Sequence, residues 1–463
     1  MARTSFPHSE TSYYRRIIQV CLPLVLSLSA TTLMEFTDRV FLANYSLEAI
    51  SAALPAGITN YLFIAFLGGV GSYIGVFIAQ YTGRGDLLPI GRMLWQGIYL
   101  TVMSTLLFWG IDAWLTTPIF ALADHPPEVR QLEEQYFSIL CRGGGLHVGM
   151  VTLAAFFSGR GITRPVMIIT FIGVLLNVPL DYCLIYGACG LPELGIGGAA
   201  IATVIAWAVN VLCLAHLIFT RNNEARFGVC RQWRLDVKDF MHLLRFGVPA
   251  AIQFTLDILA FTLFVLLVGR IGKPALAATN IVLSINALAF MPSAGFAQGI
   301  SVLVGQALGT QDIAQAKKIV ISGAQLLCLY ILAVDILFIV WPGIVLSPFL
   351  GDQMENLATV SAYSRSLLKI VAAYLFFDAL YMVLTGALRG AGDTRFPMLA
   401  TLTAAPCCLV LPVYYGIHHG RLGVVGAWLW VLLFVFVLFS LAAWRYLSGK
   451  WQNIRLIENE PPV

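Results

Sequence analysis

Charge is what this chain lacks. It has 28 Lys and Arg and 24 Asp and Glu in 463 residues, 11% charged against 59% hydrophobic. Soluble domains carry about 25% charged residues, so this composition excludes a protein built around one aqueous-facing core. No polar stretch is long enough for a sizeable soluble domain either. No CxxC occurs, and the nine cysteines, among them Cys21, Cys213 and Cys328, are scattered through apolar runs without His/Cys spacing suited to a metal. They read as packing residues, the adjacent Cys407 and Cys408 included. A net charge of only +4 gives no basic surface of the kind nucleic acid requires. The first apolar run follows Arg15 and Arg16 but lacks a short hydrophobic core closed by small residues, so it reads as a retained helix and not a cleaved signal.

What the chain has instead is a series of apolar runs, each long enough for about 30 Å of hydrocarbon. Twelve spans are predicted, at 17–43, 54–81, 94–119, 132–157, 166–187, 196–219, 241–269, 276–307, 318–346, 360–387, 398–418 and 424–447. With these spans, Arg15, Arg16, Arg84, Arg92, Arg160, Arg164, the run 221–238, Lys317, Lys318, Arg389, Arg395, Arg445 and Lys450 fall on one side. Segment 44–53 opposite has no Lys or Arg, and 124–134 is mostly acidic. The positive-inside rule makes the basic side cytoplasmic. The expectation is an all-α, multi-pass protein of the cytoplasmic membrane with both termini in the cytoplasm and the lipid bilayer as its surroundings.

The polar segment 221–239 divides the spans into two groups of six. An offset of 226 aligns Pro23 with Pro249, Ala52 with Ala278, Gly69 with Gly295, Gln80 with Gln306, Gly83 with Gly309 and Asp86 with Asp312. Offsets of 231 and 228 align 159–164 with 390–395 and Leu194-Gly195 with Leu422-Gly423. The halves read as ancestral copies. An even number of spans per copy makes them parallel repeats, the arrangement in which transporters place a central cavity between two bundles and alternate its access. The predicted organisation is a cytoplasmic segment 1–16, an N-terminal bundle 17–220, a cytoplasmic linker 221–239, a C-terminal bundle 240–448 and a cytoplasmic tail 449–463.

Asp257 is the single charge in the run 249–268. A carboxylate near a bilayer's centre costs about 3 kcal/mol on insertion scales and faces a bundle interior or water-filled cavity. Asp378 is the other deep acid of the second bundle, with Tyr374, Tyr381 and Thr385 on its helix face, and Gln253 precedes Asp257 by one turn. Two such acids can share a cation, and oxygen ligands suit a hard ion, so sodium and proton both remain open as the coupling ion. In the first bundle Asp38, Asn177, Asp181 and Thr203 offer oxygens for a second cation pocket, with Pro179 expected to disturb the helix and free carbonyls between Asn177 and Asp181. A competing reading ties Asp38 into a local ion pair with Glu35 and Arg39. Asp112 and Asp335 interrupt the third span of each half without a polar face, and neither is assigned a site.

For a substrate cavity the candidates are Gln253, Asn280, Tyr381 and His147, the last being the repeat counterpart of Asp378. Asn286 and Gln298 can add polarity, and abundant Phe, Tyr and Met offer faces for flat organic cations. No bound cofactor and no metal beyond a transported sodium ion are expected, and no obligatory protein partner is evident.

These features together resemble the multidrug and toxic compound extrusion (MATE) family. The resemblance covers nearly the whole chain and is carried by the Pro-anchored first span of each half, by GQALGTQD at 305–312 and by LRGAGDTRFP at 388–397. It implies two six-helix bundles and cation-coupled antiport exporting amphipathic, often cationic, drugs or toxic metabolites. Asp257 and Asp378 occupy positions implicated in coupling in bacterial members, and Tyr374 matches a further site residue in span ten. Asp38, Asn177, Asp181 and Thr203 resemble the family's other cation site. Span seven has aspartate where glutamate is common, and span eight has Asn280 where glutamine often stands. The rivals are a flippase for a lipid-linked precursor, which calls for a basic cavity, and an intramembrane aspartyl protease, prompted by the GxGD pattern ending at Asp393. The motif loops themselves read as structural, with Asp393, Arg389 and Arg395 able to pair at the cytoplasmic face.

Overall fold

A computed structural model describes residues 10–122, 125–349 and 357–457. The outer parts of the predicted terminal segments, 1–9 and 458–463, lie outside the described residues. Twelve helices are long and apolar enough to cross a membrane: α1 Tyr13–Tyr45, α2 Leu47–Arg84, α3 Leu88–Ala121, α4 Pro127–Ser158, α5 Arg164–Tyr186, α6 Ile196–Ile218, α7 Val237–Gly269, α8 Lys273–Gly309, α9 Ile313–Val340, α10 Leu357–Ala391, α11 Arg395–His418 and α12 Val424–Leu447. No strand occurs among the described residues. The expected all-α class and span count hold. In the ninth span the helix stops at Val340 and a separate turn, Pro342–Leu346, follows Trp341. Pro342 has no N–H to continue the ladder and disfavours helical geometry in the residue before it.

The turn backbone repeats along with the sequence. Gly85 and Gln311, related by the offset of 226, are both left-handed, at φ 80° and 60°, and Gly161 and Gly392, related by 231, are at φ 75° and 91°. Asp312 then accepts from the N–H of Gln315 at 2.8 Å and caps α9. A duplicated turn conformation, held in one copy by a non-glycine residue, is stronger evidence of common ancestry than matched residue types alone.

Helices approach closely through small residues. A Cβ on Gly386 would sit 2.5 Å from the Ala297 carbonyl oxygen, and one on Gly390 2.3 Å from that of Ser301, so α10 lies against α8 through a Gly-x-x-x-Gly stripe. In the other copy, a Cβ on Gly159 would meet the Gly75 carbonyl oxygen at 2.6 Å, holding the end of α4 against α2 in the same way.

Two units form, residues 26–251 and residues 1–25 with 252–463. Both crossings fall inside helices, after Val25 in α1 and after Ala251 in α7, again 226 positions apart and each two residues beyond the helix's proline. In the second unit, the start of α1 is tied to α8 and α9 through Arg16 Nη2 to Gln306 Oε1 at 3.0 Å and Tyr14 Oη to Gln325 Oε1 at 2.6 Å. In the first unit, the start of α7 is tied to α3 by Arg92 with Asp239 at 2.6 Å, and to α2 by the His242 ring against Phe77. Segment 221–239 docks within that unit as well, with Trp95 Nε1 donating to the Val229 carbonyl at 2.6 Å.

Candidate cation sites

In the unit containing 252–463, Gln253 and Asp257 stand one turn apart on α7. Gln253 Nε2 donates to Tyr381 Oη at 3.0 Å, and that hydroxyl lies 3.4 Å from Thr401 Oγ1 on α11. The Thr401 hydroxyl in turn faces Asp257. An amide N–H can only donate, so the Tyr381 hydroxyl accepts from Gln253 and keeps its own hydrogen for another acceptor. Asp378 on α10 is the charge facing Asp257, and the Tyr374 hydroxyl, a turn before it, faces Asn286 of α8. Asp378, Tyr374, Tyr381 and Thr401 are all buried, and Asp257 Oδ1 is a buried oxygen without a protein partner. Behind them Trp428 donates to Thr279 Oγ1 at 3.1 Å and its ring meets Tyr374 and Phe264, closing the site with apolar surface.

The unit of 26–251 holds the second group. Asp38, Asn177, Asp181 and Thr203 converge from α1, α5 and α6, and all are buried. With the Asn177 amide oriented so that its nitrogen faces the acids, it donates to Asp38 Oδ1 at 3.2 Å and Asp181 Oδ2 at 3.0 Å. Asp38 and Asp181 face each other, and Thr203, whose hydroxyl donates to the Ala199 carbonyl at 3.1 Å, faces Asp38. Two carboxyls can hydrogen-bond directly only with a proton between them, and a small hard cation can stand in that proton's place. Asp181 Oδ1 has no protein partner.

The local ion pair considered for Asp38 belongs to its neighbours: Arg39 pairs with Glu35 at 4.0 Å on the exposed face. Pro179 does not open the helix at the site. α5 runs unbroken across it, and the carbonyl it leaves unpaired is that of Leu175, four residues back, whose side chain is 76% exposed. Two residues along a helix is a turn of about 200°, so Pro179 and Asn177 lie on opposite faces.

The two groups occupy different positions within their repeats. The repeat counterpart of Asp38 is Phe264, seven residues past Asp257, and the counterpart of Asp257 is Thr31, whose hydroxyl bonds its own helix at the Ser27 carbonyl. At 1.5 Å rise per residue the displacement is about 10 Å along the helix axis. Duplication supplied the scaffold, and each copy placed its acids separately.

Among the other candidates, His147 lies edge-on to Trp207 with its ring centroid 5.1 Å away and its Nδ1 unpartnered. Asn280 is exposed and does not join the α7, α10 and α11 cluster. Asp112 is held by Arg142 at 2.6 Å and by the Thr116 hydroxyl at 3.3 Å, a structural ion pair. Asp335 is half-buried on α9. Thr401 is the residue near Asp257 that sequence reading missed; its one signal was a hydroxyl in the first half of an apolar span, shared with Thr403 two residues on. Tyr136, whose ring lies in the field of both Asp38 and Asp181, was hidden similarly in α4.

At the motif loops, Asp393 is 4% exposed and pairs with Arg445 at 2.6 Å, a partner on α12 and not within its own loop. Arg160 stacks on Phe156, Phe157 and Phe227, and burial there, helped by Arg226, pushes it down to about 10. Among the described residues no group of three or more His, Cys, Asp or Glu could hold a metal.

The MatE family model matches residues 23–183 and 249–414, one match per repeat. Among curated proteins, the probable multidrug resistance protein NorM of Thermotoga maritima is 26% identical over 464 residues, covering 98% of this chain and 97% of that protein. The one from Agrobacterium fabrum is 29% identical over 411 residues, 86% of each. A solved structure described as the outward-facing conformation of a multidrug resistance MATE family transporter of the MOP superfamily superposes with a TM-score of 0.85 at 18% identity, covering 96% of this chain and 97% of that one.

Proposed function

The chain belongs to the MatE family of membrane transporters, and on that premise we propose that it is a cation-coupled antiporter exporting amphipathic, often cationic, compounds by alternating access. The observation that carries the reading is the pair of buried acid groups, Asp257 with Asp378 and Asp38 with Asp181. None of these four acids forms an ion pair with Lys, Arg or His among the described residues. Unpaired acids in apolar surroundings are retained against a cost of several kcal/mol, and cation transport supplies a reason for it. The named relatives are multidrug resistance proteins, which supports export of small organic molecules.

In this cycle sodium or protons enter from outside, occupy one or both groups and favour the outward-open state by binding it more tightly, since a ligand shifts an equilibrium only through differential affinity. Substrate leaves, and the cation is released on the cytoplasmic side, where both termini lie. The aromatic residues around the C-terminal group attract organic cations through their ring faces. The test is efflux of a fluorescent cationic dye from proteoliposomes under sodium and pH gradients imposed separately. Asp257→Asn and Asp38→Asn are assayed beside wild type. Full gradient-driven efflux in both variants overturns the proposal.

A further inference from the structure

A groove of about 430 Å³ opens on the surface of the unit containing 252–463, between the last turns of α7 and the second half of α11. That volume lies within the range of small-molecule sites, about 300–1,000 Å³. Leu263, Leu266 and Leu267 form one wall, and Val410 and Leu411 the other. The second wall is shaped by one turn of π-helix, Pro406–Val410, which interrupts α11. Such turns are rare and cluster at functional positions, because the extra residue moves side chains out of helical register. The groove lies on a different face of α7 from Asp257: Leu266 follows it by nine residues, a rotation of about 180°.

The end of the groove at the α7–α8 turn is polar. Arg270 and Tyr414 close it, and the Tyr414 ring stacks on His418 at 5.9 Å and 7°, which fixes its position. Arg270 is exposed and has no acid partner among the described residues. It also stands on the side the loop charges mark as outside, where the positive-inside rule disfavours it. An apolar slot as long as two helical turns, topped at the membrane surface by an unpaired guanidinium and a tyrosine, has the amphipathic layout of a lipid.

We propose that this groove is a binding site for an anionic phospholipid, with an acyl chain between the α7 leucines and Val410–Leu411 and the phosphate on Arg270 beside the Tyr414 hydroxyl. Guanidinium holds phosphate through two parallel N–H donors. A headgroup without its own ammonium leaves that charge uncompensated, so phosphatidylglycerol binds in preference to phosphatidylcholine. Neither α7 acid nor the coupling ion takes part.

The test is native mass spectrometry of the full-length protein with phosphatidylglycerol and phosphatidylcholine supplied at equal concentration. Wild type is expected to retain one phosphatidylglycerol preferentially. Arg270→Gln lowers that retention about tenfold, the worth of a charge-assisted hydrogen bond. Leu266→Trp, which fills the slot at a position 65% exposed, lowers it with the arginine intact. Leu329→Trp, on an exposed apolar face of α9, leaves it unchanged. Equal retention in wild type and Arg270→Gln overturns the proposal. So does equal displacement of the lipid by inorganic phosphate, which makes the site a headgroup site alone, or by the transported dye, which makes it part of the substrate path.

Discussion

Gln253 donates to the Tyr381 hydroxyl across 3.0 Å, joining α7 to α10 one turn before Asp257 and one turn after Asp378. The bond holds the two acid-bearing helices in register. It also leaves the phenol's own hydrogen free for a second partner, and the Thr401 hydroxyl lies 3.4 Å away.

Tyr381→Phe removes the shared hydroxyl and leaves a buried Gln253 N–H and Thr401 without that partner. The expected cost is about 1–3 kcal/mol of stability, read as a lowered melting temperature of the purified protein. Thr401→Val should weaken coupled efflux while leaving Gln253 bonded to Tyr381. An unchanged coupling ratio in Thr401→Val would place the threonine outside the cation site.

At the other group, Asn177 is the shared donor. Asn177→Leu, of the same branched skeleton, removes both bonds and should abolish cation-dependent thermal stabilisation attributable to this unit. Asp257→Asn should leave that part intact. Measuring stabilisation by sodium and by acid in both variants separates the two groups, because their helices contribute no side chain in common.

Arg445→Ala leaves Asp393 buried without its counter-charge, and breaking a buried pair in this way costs about 3–5 kcal/mol. The double variant Asp393→Asn with Arg445→Gln should recover much of the loss. The coupling ratio of whatever folded protein remains should be unchanged. A coupling defect in the double variant would show that this pair does more than hold α10 to α12.

Gly386→Val drives a side chain into the Ala297 carbonyl at the α8–α10 contact. Overpacking of this kind costs about 1–3 kcal/mol, and expression and melting temperature should fall together. Gly110→Val, at an α3 position where an added Cβ meets nothing within 4 Å, is the matched control and should fold normally.

Much of the fold was legible because a bilayer simplifies it. Every span must satisfy its own backbone and must be apolar for about 20 residues, so counting runs located the helices, and the ninth was misplaced only where Pro342 cut it. The acids were legible for the same reason: Asp257, Asp378, Asp38 and Asp181 are rare residues in apolar surroundings. Their neighbours were less so. Thr401 and Tyr136 are ordinary membrane-helix residues, and only packing makes them partners of a carboxyl.

The amino-acid sequence by itself determined the twelve spans, the duplication and the acids that the membrane makes costly. Tertiary structure decided what each acid faces. It turned Asp38 inward while Arg39 took Glu35, and set Asp112 against Arg142. It also carried the starts of α1 and α7 into the opposite units, at equivalent points just past Pro23 and Pro249. The physical reason is that apolar periodicity fixes how long a helix is, and only the close approach of helices fixes which of its faces meets which neighbour.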